Sequence, residues 1–137
     1  MKIKFLREDV VFNNVPYADI SINDSQLKIS LDDKDENRIT LCLYPIQAIK
    51  LMTEDCYDFP AEIINECKQK YGFYKRHIVE ILDSPWIQEL KTTASMYQND
   101  VEILDKSRHF LIDLRDNIVE VVAWNIAIQT IENDHSK

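Results

Sequence analysis

The chain has a single glycine, Gly72, among its 137 residues. Glycine allows the backbone to approach a phosphate closely or to turn at positive φ. A Walker A loop, a dinucleotide-binding fingerprint and a G-x-S-x-G nucleophile elbow each need more than one glycine. These nucleotide-binding and hydrolase sites are therefore excluded, and no other catalytic signature replaces them.

Long apolar runs and a secretory leader are also lacking. The longest unbroken apolar runs are far shorter than a membrane span, and no apolar segment follows the N-terminal lysines as it would in a signal peptide. Hydrophobic residues make up 45% and charged residues 29% of the chain, which is typical of a globular protein. We expect one domain over residues 1–137, located in the cytoplasm, with no membrane partner.

Basic residues are scarce relative to acidic ones. The chain has 16 lysines and arginines and 24 aspartates and glutamates, which gives a formal net charge of -8. Since nucleic-acid binding needs clustered Lys and Arg that neutralise phosphates, we expect no nucleic-acid partner. Between Thr53 and Cys67 every charged side chain is acidic: Glu54, Asp55, Asp58, Glu62 and Glu66. Such a run is typical of a solvated surface, and its alternative interpretation is a docking surface for a basic protein.

Alternation of apolar and polar residues dominates the first third of the chain. It predicts short strands at residues 2–6, 18–23, 27–32, 38–44 and 46–52, separated by turns and, between the last two, by Pro45. Leu41 and Leu43 are in phase on one strand face. Cys42, between them in the same apolar run, is expected to be a small core residue.

Helix signals are confined to the middle of the chain. Pro60 suits a first helical turn and Gly72 the position just after a helix, which predicts a helix at about 60–70. Ser84 and Pro85 are an N-cap and first-turn pair, and they predict a helix at 84–97. Trp86 lies on the apolar stripe of that helix and is expected to pack it onto the sheet. A strand is predicted at 76–82, between the helices.

Strand patterns return at the C-terminus. Phe110, Ile112 and Leu114 alternate with other residues, which indicates a strand, and residues 115–117 are predicted to form a turn. Residues 118–128 are predicted to be a long strand with apolar residues on both faces, as in a central strand of a sheet. The polar tail at 132–137 is expected to fray. The predicted fold is α+β: an antiparallel meander sheet with one or two helices inserted before a C-terminal β-hairpin.

Four side chains are candidates for a polar pocket between the sheet and the helix at 84–97: His77, His109, Asp113 and Glu120. A histidine titrates near neutral pH and can act as a general base, and paired carboxylates do acid–base work when a pocket shifts their pKa. The alternatives are edge or capping roles for the histidines and cross-strand ion pairs for the carboxylates.

Metal-ligand spacing is absent. Asp33, Asp35 and Asn37 alternate like the first ligands of an EF-hand loop, but Arg38 and Tyr44 occupy the positions that need glycine and glutamate. A solvated hairpin turn is the better interpretation. We predict no metal and no other cofactor.

Three stretches together resemble a pattern in small bacterial α+β proteins of unassigned function. They are Asp83-Ser84-Pro85-Trp86-Ile87, Arg108-His109-Phe110-Leu111-Ile112 and Val119-Glu120-Val121-Val122-Ala123. In that pattern a helix opened by Ser-Pro-Trp precedes a final hairpin. The resemblance implies an α+β fold and a bacterial cytoplasm, and it carries over no catalytic residue.

Two classes of function remain. The first is a non-enzymatic, acidic protein-binding module, for example an immunity-type inhibitor whose acids cover a basic site of a toxin or nuclease. Small size, acidity and the lack of catalytic loops favour it. The alternative is a small enzyme or ligand-binding protein that uses the pocket described above. The oligomeric state is left open by the sequence.

The cysteines provide a first testable prediction. Cys42, Cys56 and Cys67 are an odd number at wide spacings without metal-ligand pattern, so all three are expected as reduced thiols in a reducing compartment. Thiol titration under denaturing, non-reducing conditions should count three thiols. A count of one would reveal a disulfide and contradict the cytoplasmic assignment.

Overall fold

The computed structural model describes residues 2–12 and 18–131. These ranges form a seven-stranded antiparallel sheet with three α-helices and one 3-10 turn, which confirms the predicted α+β class. The strands are β1 (Ile3–Leu6), β2 (Asp19–Asn23), β3 (Gln26–Asp32), β4 (Arg38–Thr53), β5 (Ile78–Ile81), β6 (Arg108–Asp113) and β7 (Asn117–Ile131). The helices are α1 (Ala61–Tyr71), α2 (Pro85–Met96) and α3 (Glu102–Asp105), and the 3-10 turn is Glu54–Cys56. The tail predicted to fray at 132–137 lies outside the described residues.

The two longest strands lie side by side near the middle of the sheet. The strand order is β1-β5-β6-β7-β4-β3-β2, so β7 is the fourth of seven. Pairing of β7 with β4 extends over the whole of both strands, from Thr53 opposite Asn117 to Arg38 opposite Ile131. This central position buries the apolar residues of both faces in the first half of β7, Ile118, Val119, Val121, Val122 and Ala123, whereas Ile131 at its end is exposed.

Pro45 does not separate two strands, as the sequence predicted. β4 passes through it as one strand of 16 residues, and the register shifts between Ile46 and Ala48. Proline cannot donate a hydrogen bond to a ladder. A local irregularity of this kind lets a central strand accommodate a residue that a regular ladder excludes.

One face of the sheet is almost wholly apolar. Its buried side chains come from alternate positions of neighbouring strands and include Leu27, Ile29, Leu31, Ile39, Leu41, Leu43, Phe110, Ile112, Val119 and Val121. Val10 and Phe12, from the segment after β1, belong to the same cluster. Cys42 is half-buried, so its predicted place in the core is wrong. Successive side chains of a strand point to opposite faces, which directs Cys42 away from Leu41 and Leu43.

The opposite face carries His109, Asp113 and Glu120, whereas the Phe110 face holds the ion pair of Arg108 with Glu80 at 2.7 Å. α1 packs Ile63 on the opposite face, against an apolar cluster that includes Val79, Ile81, Leu111 and Ile118. His109 and Asp113 share this face with Leu111, because they are two residues away from it along β6. Glu120 of β7 is directly opposite Leu111 in the register and lies on the same face.

The helix ends follow the predicted capping signals. The Ser84 hydroxyl oxygen accepts a hydrogen bond from the Ile87 N–H at 3.1 Å, and Pro85 is the first residue of α2. Gly72 caps α1 in the left-handed region at φ 83, and its N–H donates to the carbonyl of Lys68 at 2.9 Å. α3 was not predicted, since a helix of 4 residues is too short to show a period. None of the described helices is long and apolar enough to cross a membrane.

The Gly72 cap leads to a prediction about stability. A Cβ added at Gly72 would meet no atom within 4 Å, so the cost of Gly72→Ala is conformational and comes from the positive φ alone. We expect Gly72→Ala to lower the free energy of unfolding by about 1 kcal/mol, and Gly72→Asn to lower it by less, because asparagine tolerates this region better. Urea denaturation measures both. Equal stability of all three proteins would show that α1 does not need this cap.

Candidate functional site

The five acidic residues of 54–66 lie on one continuous segment that leads into α1. Glu54 and Asp55 are in the 3-10 turn, Asp58 follows it, and Glu62 and Glu66 are on α1. All are exposed except the half-buried Glu66. Within residues 2–12 and 18–131, none of the five takes part in an ion pair. We call this set the acidic face, and its negative charge is directed at solvent without neutralisation.

A cavity of about 380 Å³ opens beside the acidic face. Glu54 lines it together with three aromatic rings, those of Tyr57, Phe59 and Tyr74. The rings pack edge to face, with centroids 5.7 Å apart for Tyr57 and Phe59 and 5.4 Å apart for Phe59 and Tyr74. This is the aromatic cavity. It is large enough to take a side chain or a small ligand.

Asp113 and Arg76 supply the buried polar groups of the aromatic cavity. The Asp113 carboxylate accepts hydrogen bonds from the Tyr74 hydroxyl and, at 2.7 Å, from the Arg115 backbone N–H. Burial and the charge of Asp113 raise the pKa of Tyr74, which keeps its hydroxyl protonated as a donor. Asp113 is thus satisfied in the folded state.

Arg76 is less well satisfied. Its Nε lies 3.8 Å from the nearer Asp113 oxygen, which is too long for a hydrogen bond. This buried Nε has no hydrogen-bond partner among the described residues. Leaving a buried donor unpaired is costly. Arg76 lines the aromatic cavity, but its unpaired Nε is covered by neighbouring atoms.

A second polar cluster lies at the start of α2. The Ser84 hydroxyl is 2.7 Å from His109 Nδ1, and His109 Nε2 is 2.6 Å from a carboxylate oxygen of Glu120. Ser84 and His109 are both buried, and Glu120 is half-buried. The three side chains form a single hydrogen-bonded relay from the helix N-terminus to β7, which we call the Ser84 relay.

The protonation state of Glu120 fixes the direction of the Ser84 relay. Burial raises the pKa of Glu120, but hydrogen bonds from His109 and Tyr57 and the nearby charge of Lys50 outweigh this effect, and the net pKa is lowered. An ionised carboxylate only accepts hydrogen bonds. His109 therefore donates to it from Nε2, and in the neutral imidazole Nδ1 accepts the hydrogen bond of the Ser84 hydroxyl.

Trp86 covers the imidazole of this relay. Its ring meets that of His109 edge to face, with centroids 5.2 Å apart, which confirms that Trp86 packs α2 onto the sheet. The Lys50 ammonium lies over the same indole, 4.1 Å from the ring centroid. This packing holds His109 in one orientation and shields it from water.

A second cavity, of about 370 Å³, reaches Ser84 from the other side. It lies between α2 and α3 and is also lined by Ile87, Lys91, Leu104 and Ser107, among others. We call it the α2–α3 cavity. Of the four candidate pocket residues, the structure brings His109 and Glu120 together in the Ser84 relay, which meets this cavity through Ser84, and it places Asp113 in the aromatic cavity instead.

His77 lies apart from the other three candidates. It is only 2% exposed and stacks between Phe5 and Tyr71, with ring centroids 5.8 Å and 5.2 Å away. Neither ring nitrogen has a hydrogen-bond partner among the described residues. Because a charged imidazole is strongly disfavoured in such a place, His77 is held in its neutral form.

The turn with calcium-like spacing is satisfied by its own backbone. One Asp33 carboxylate oxygen accepts hydrogen bonds from the N–H groups of Asp35 and Asn37, at 2.8 and 2.9 Å. Among the described residues, no group of three or more His, Cys, Asp or Glu side chains is arranged to hold a metal ion.

Sequence reasoning missed most of the aromatic cavity. Tyr57 and Phe59 immediately precede α1, and Tyr74 and Arg76 follow it, so the available signal was the density of rings at the two ends of one helix. Ser84 was identified only as an N-cap. Its contact with His109 spans 25 residues, and no local pattern encodes it.

His77 leads to a prediction about pH. Burial lowers its pKa, as does Lys75, while the backbone of Val10 and the charge of Glu8 act in the opposite direction and only partly compensate. The unfolded chain therefore binds the proton first, and the free energy of unfolding falls as the pH is lowered from about 7 to about 5. We expect His77→Phe, which cannot titrate, to remove on the order of 1 kcal/mol of this loss. Equal pH slopes for both proteins in urea denaturation would contradict this.

Comparison with known proteins finds no relative of this chain. The chain matches no protein-family model, no curated protein and no solved structure.

Proposed function

We propose that the protein binds a basic protein partner through its acidic face, in the manner of an immunity-type inhibitor, and that this surface catalyses no reaction. The observation that carries the proposal is the position of Glu54, which belongs to the acidic face and also lines the aromatic cavity. Unpaired negative charge and a concave aromatic site therefore occur on one surface.

The charge supplies attraction over distance. Carboxylates without ion-pair partners keep their full field, and the net charge of -8 has the same sign. A basic partner would be steered toward this surface, and salt would screen the attraction. Met52 adds apolar contact area, since it is 41% exposed and pairs with Ile118, which lines the aromatic cavity.

The aromatic cavity supplies a place for an anchor. Binding energy in protein interfaces is concentrated in a few side chains that fill desolvated pockets. An aromatic or aliphatic side chain of the partner would lie among Tyr57, Phe59 and Tyr74. Basic residues around that anchor would meet Glu54, Asp55 and Asp58.

Charge reversal tests the docking surface. We expect Glu54→Lys/Asp55→Lys/Asp58→Lys to slow association about tenfold and to weaken the salt dependence of the association rate. Folding should be nearly unaffected, since exposed charges contribute little to stability. The measurement is capture from a lysate of the organism that makes the protein, identification of the captured basic protein, and association rates of that protein at two salt concentrations.

A matched control separates surface position from net charge. Asp35→Lys/Glu89→Lys/Glu102→Lys changes the charge by the same amount at exposed sites outside the acidic face. It should associate more nearly like the wild type. Equal capture by the wild type and the Glu54 triple variant, or an association rate indifferent to salt, would refute the docking proposal.

A further inference from the structure

We propose that Ser84 is a nucleophile, with His109 as its general base, in a site that takes small carboxylic esters or comparably activated acyl groups. The site lies at the junction of the Ser84 relay and the α2–α3 cavity. Its reacting residues are not part of the acidic face or the aromatic cavity, and the proposal does not rest on the proposed protein binding.

The contacts of the Ser84 relay have the arrangement that activates a hydroxyl. A weak nucleophile needs a base within hydrogen-bond reach, and that base needs a third group to orient it. His109 Nδ1 is 2.7 Å from the Ser84 hydroxyl, and the Glu120 carboxylate holds the opposite nitrogen at 2.6 Å. Glu120 is the positioning residue, since it fixes the proton on Nε2 and leaves Nδ1 as the base.

Capping of α2 does not account for this arrangement. A capping serine uses its oxygen to accept from a backbone N–H, as Ser84 does from Ile87 at 3.1 Å. The hydroxyl proton of a capping serine can go to any nearby acceptor. The Ser84 proton instead faces the buried imidazole of His109, which the Glu120 carboxylate holds in place. The Ile87 N–H and the N-terminus of α2 favour the deprotonated form of the Ser84 oxygen, whereas the charge that develops during attack lies on the carbonyl oxygen of the substrate.

The α2–α3 cavity provides access to the hydroxyl. At about 370 Å³ it accommodates a small acyl group, and Ser84 is part of its lining. Lys91 and Asp105 form an ion pair of 3.0 Å in the same lining, and Ile87 and Leu104 contribute apolar surface. This mixture suits a short acyl chain next to a polar leaving group.

The chemistry is acyl transfer through Ser84. The Ser84 oxygen attacks the carbonyl carbon of the ester while its proton moves to His109 Nδ1. The bond from that carbon to the leaving oxygen then breaks, and His109 returns the proton to the leaving alcohol. A water molecule repeats the two steps on the acyl-Ser84 ester, which releases the carboxylic acid and restores the hydroxyl.

Labelling with an alkyl fluorophosphonate tests the nucleophile directly. The Ser84 oxygen should displace fluoride from phosphorus and leave one stable adduct, detected by intact mass and located on the peptide that contains Ser84. We expect Ser84→Asn to give no adduct, although asparagine keeps a good N-cap for α2. Ser107→Ala is the matched control, because Ser107 lines the same cavity but its hydroxyl donates to Gln47 at 2.7 Å and contacts no imidazole. That variant should be labelled like the wild type.

Two further variants test the base and its orientation. His109→Gln should lower the labelling rate about 100-fold or more, and Glu120→Gln about tenfold or more. A downfield proton NMR resonance of His109 Nε2–H should be present in the wild type and lost in Glu120→Gln, which a general loss of stability would not produce. Thermal midpoints of all variants show that the folded protein is being compared.

The outcomes distinguish a nucleophile from a cap. No adduct on the folded wild type, under conditions that label a known serine hydrolase in the same tube, would overturn the proposal. Labelling that is unchanged in Ser84→Asn or in His109→Gln would overturn it as well. Hydrolysis of p-nitrophenyl acetate with the same dependence on Ser84 and His109 would extend the result from labelling to turnover.

Discussion

Pairing of β4 with β7 along the whole of both strands is the interaction on which the rest of the structure depends. It places a central ladder between the β3–β2 side of the sheet and the β6–β5–β1 side. The alternation of side chains along these strands then separates an apolar face from a face with buried polar groups. Both candidate sites lie on the second face, because only there do carboxylate and imidazole side chains meet the helices.

Burying polar groups is unfavourable unless each finds a partner. The second face meets this requirement in most places: Glu120 has His109 and Tyr57, and Asp113 has Tyr74 and a backbone N–H. The exceptions are informative. His77 remains neutral and unpaired, which makes it a source of acid sensitivity. The Arg76 Nε is unpaired and covered, in a residue that lines the aromatic cavity.

The two candidate sites are physically connected. Tyr57 lines the aromatic cavity and lies near enough to Glu120, the carboxylate of the Ser84 relay, for each group to shift the pKa of the other. Burial and the charge of Glu120 raise the pKa of Tyr57, so its hydroxyl remains a donor. A partner side chain that moved Tyr57 would therefore change the hydrogen bonding of Glu120, and through it the orientation of His109.

The sequence by itself determined the α+β class, the caps of α1 and α2 and the acidic character of residues 54–66, because period, capping and charge are encoded by residues close together in the chain. It could not determine that β4 continues through Pro45, since strand pairing decided this. Only the tertiary structure brought Ser84 to His109 and Glu120, and Tyr57 and Phe59 to Tyr74 and Arg76. These contacts join residues from separate elements, and their distances follow from how the sheet and helices pack rather than from any spacing along the chain.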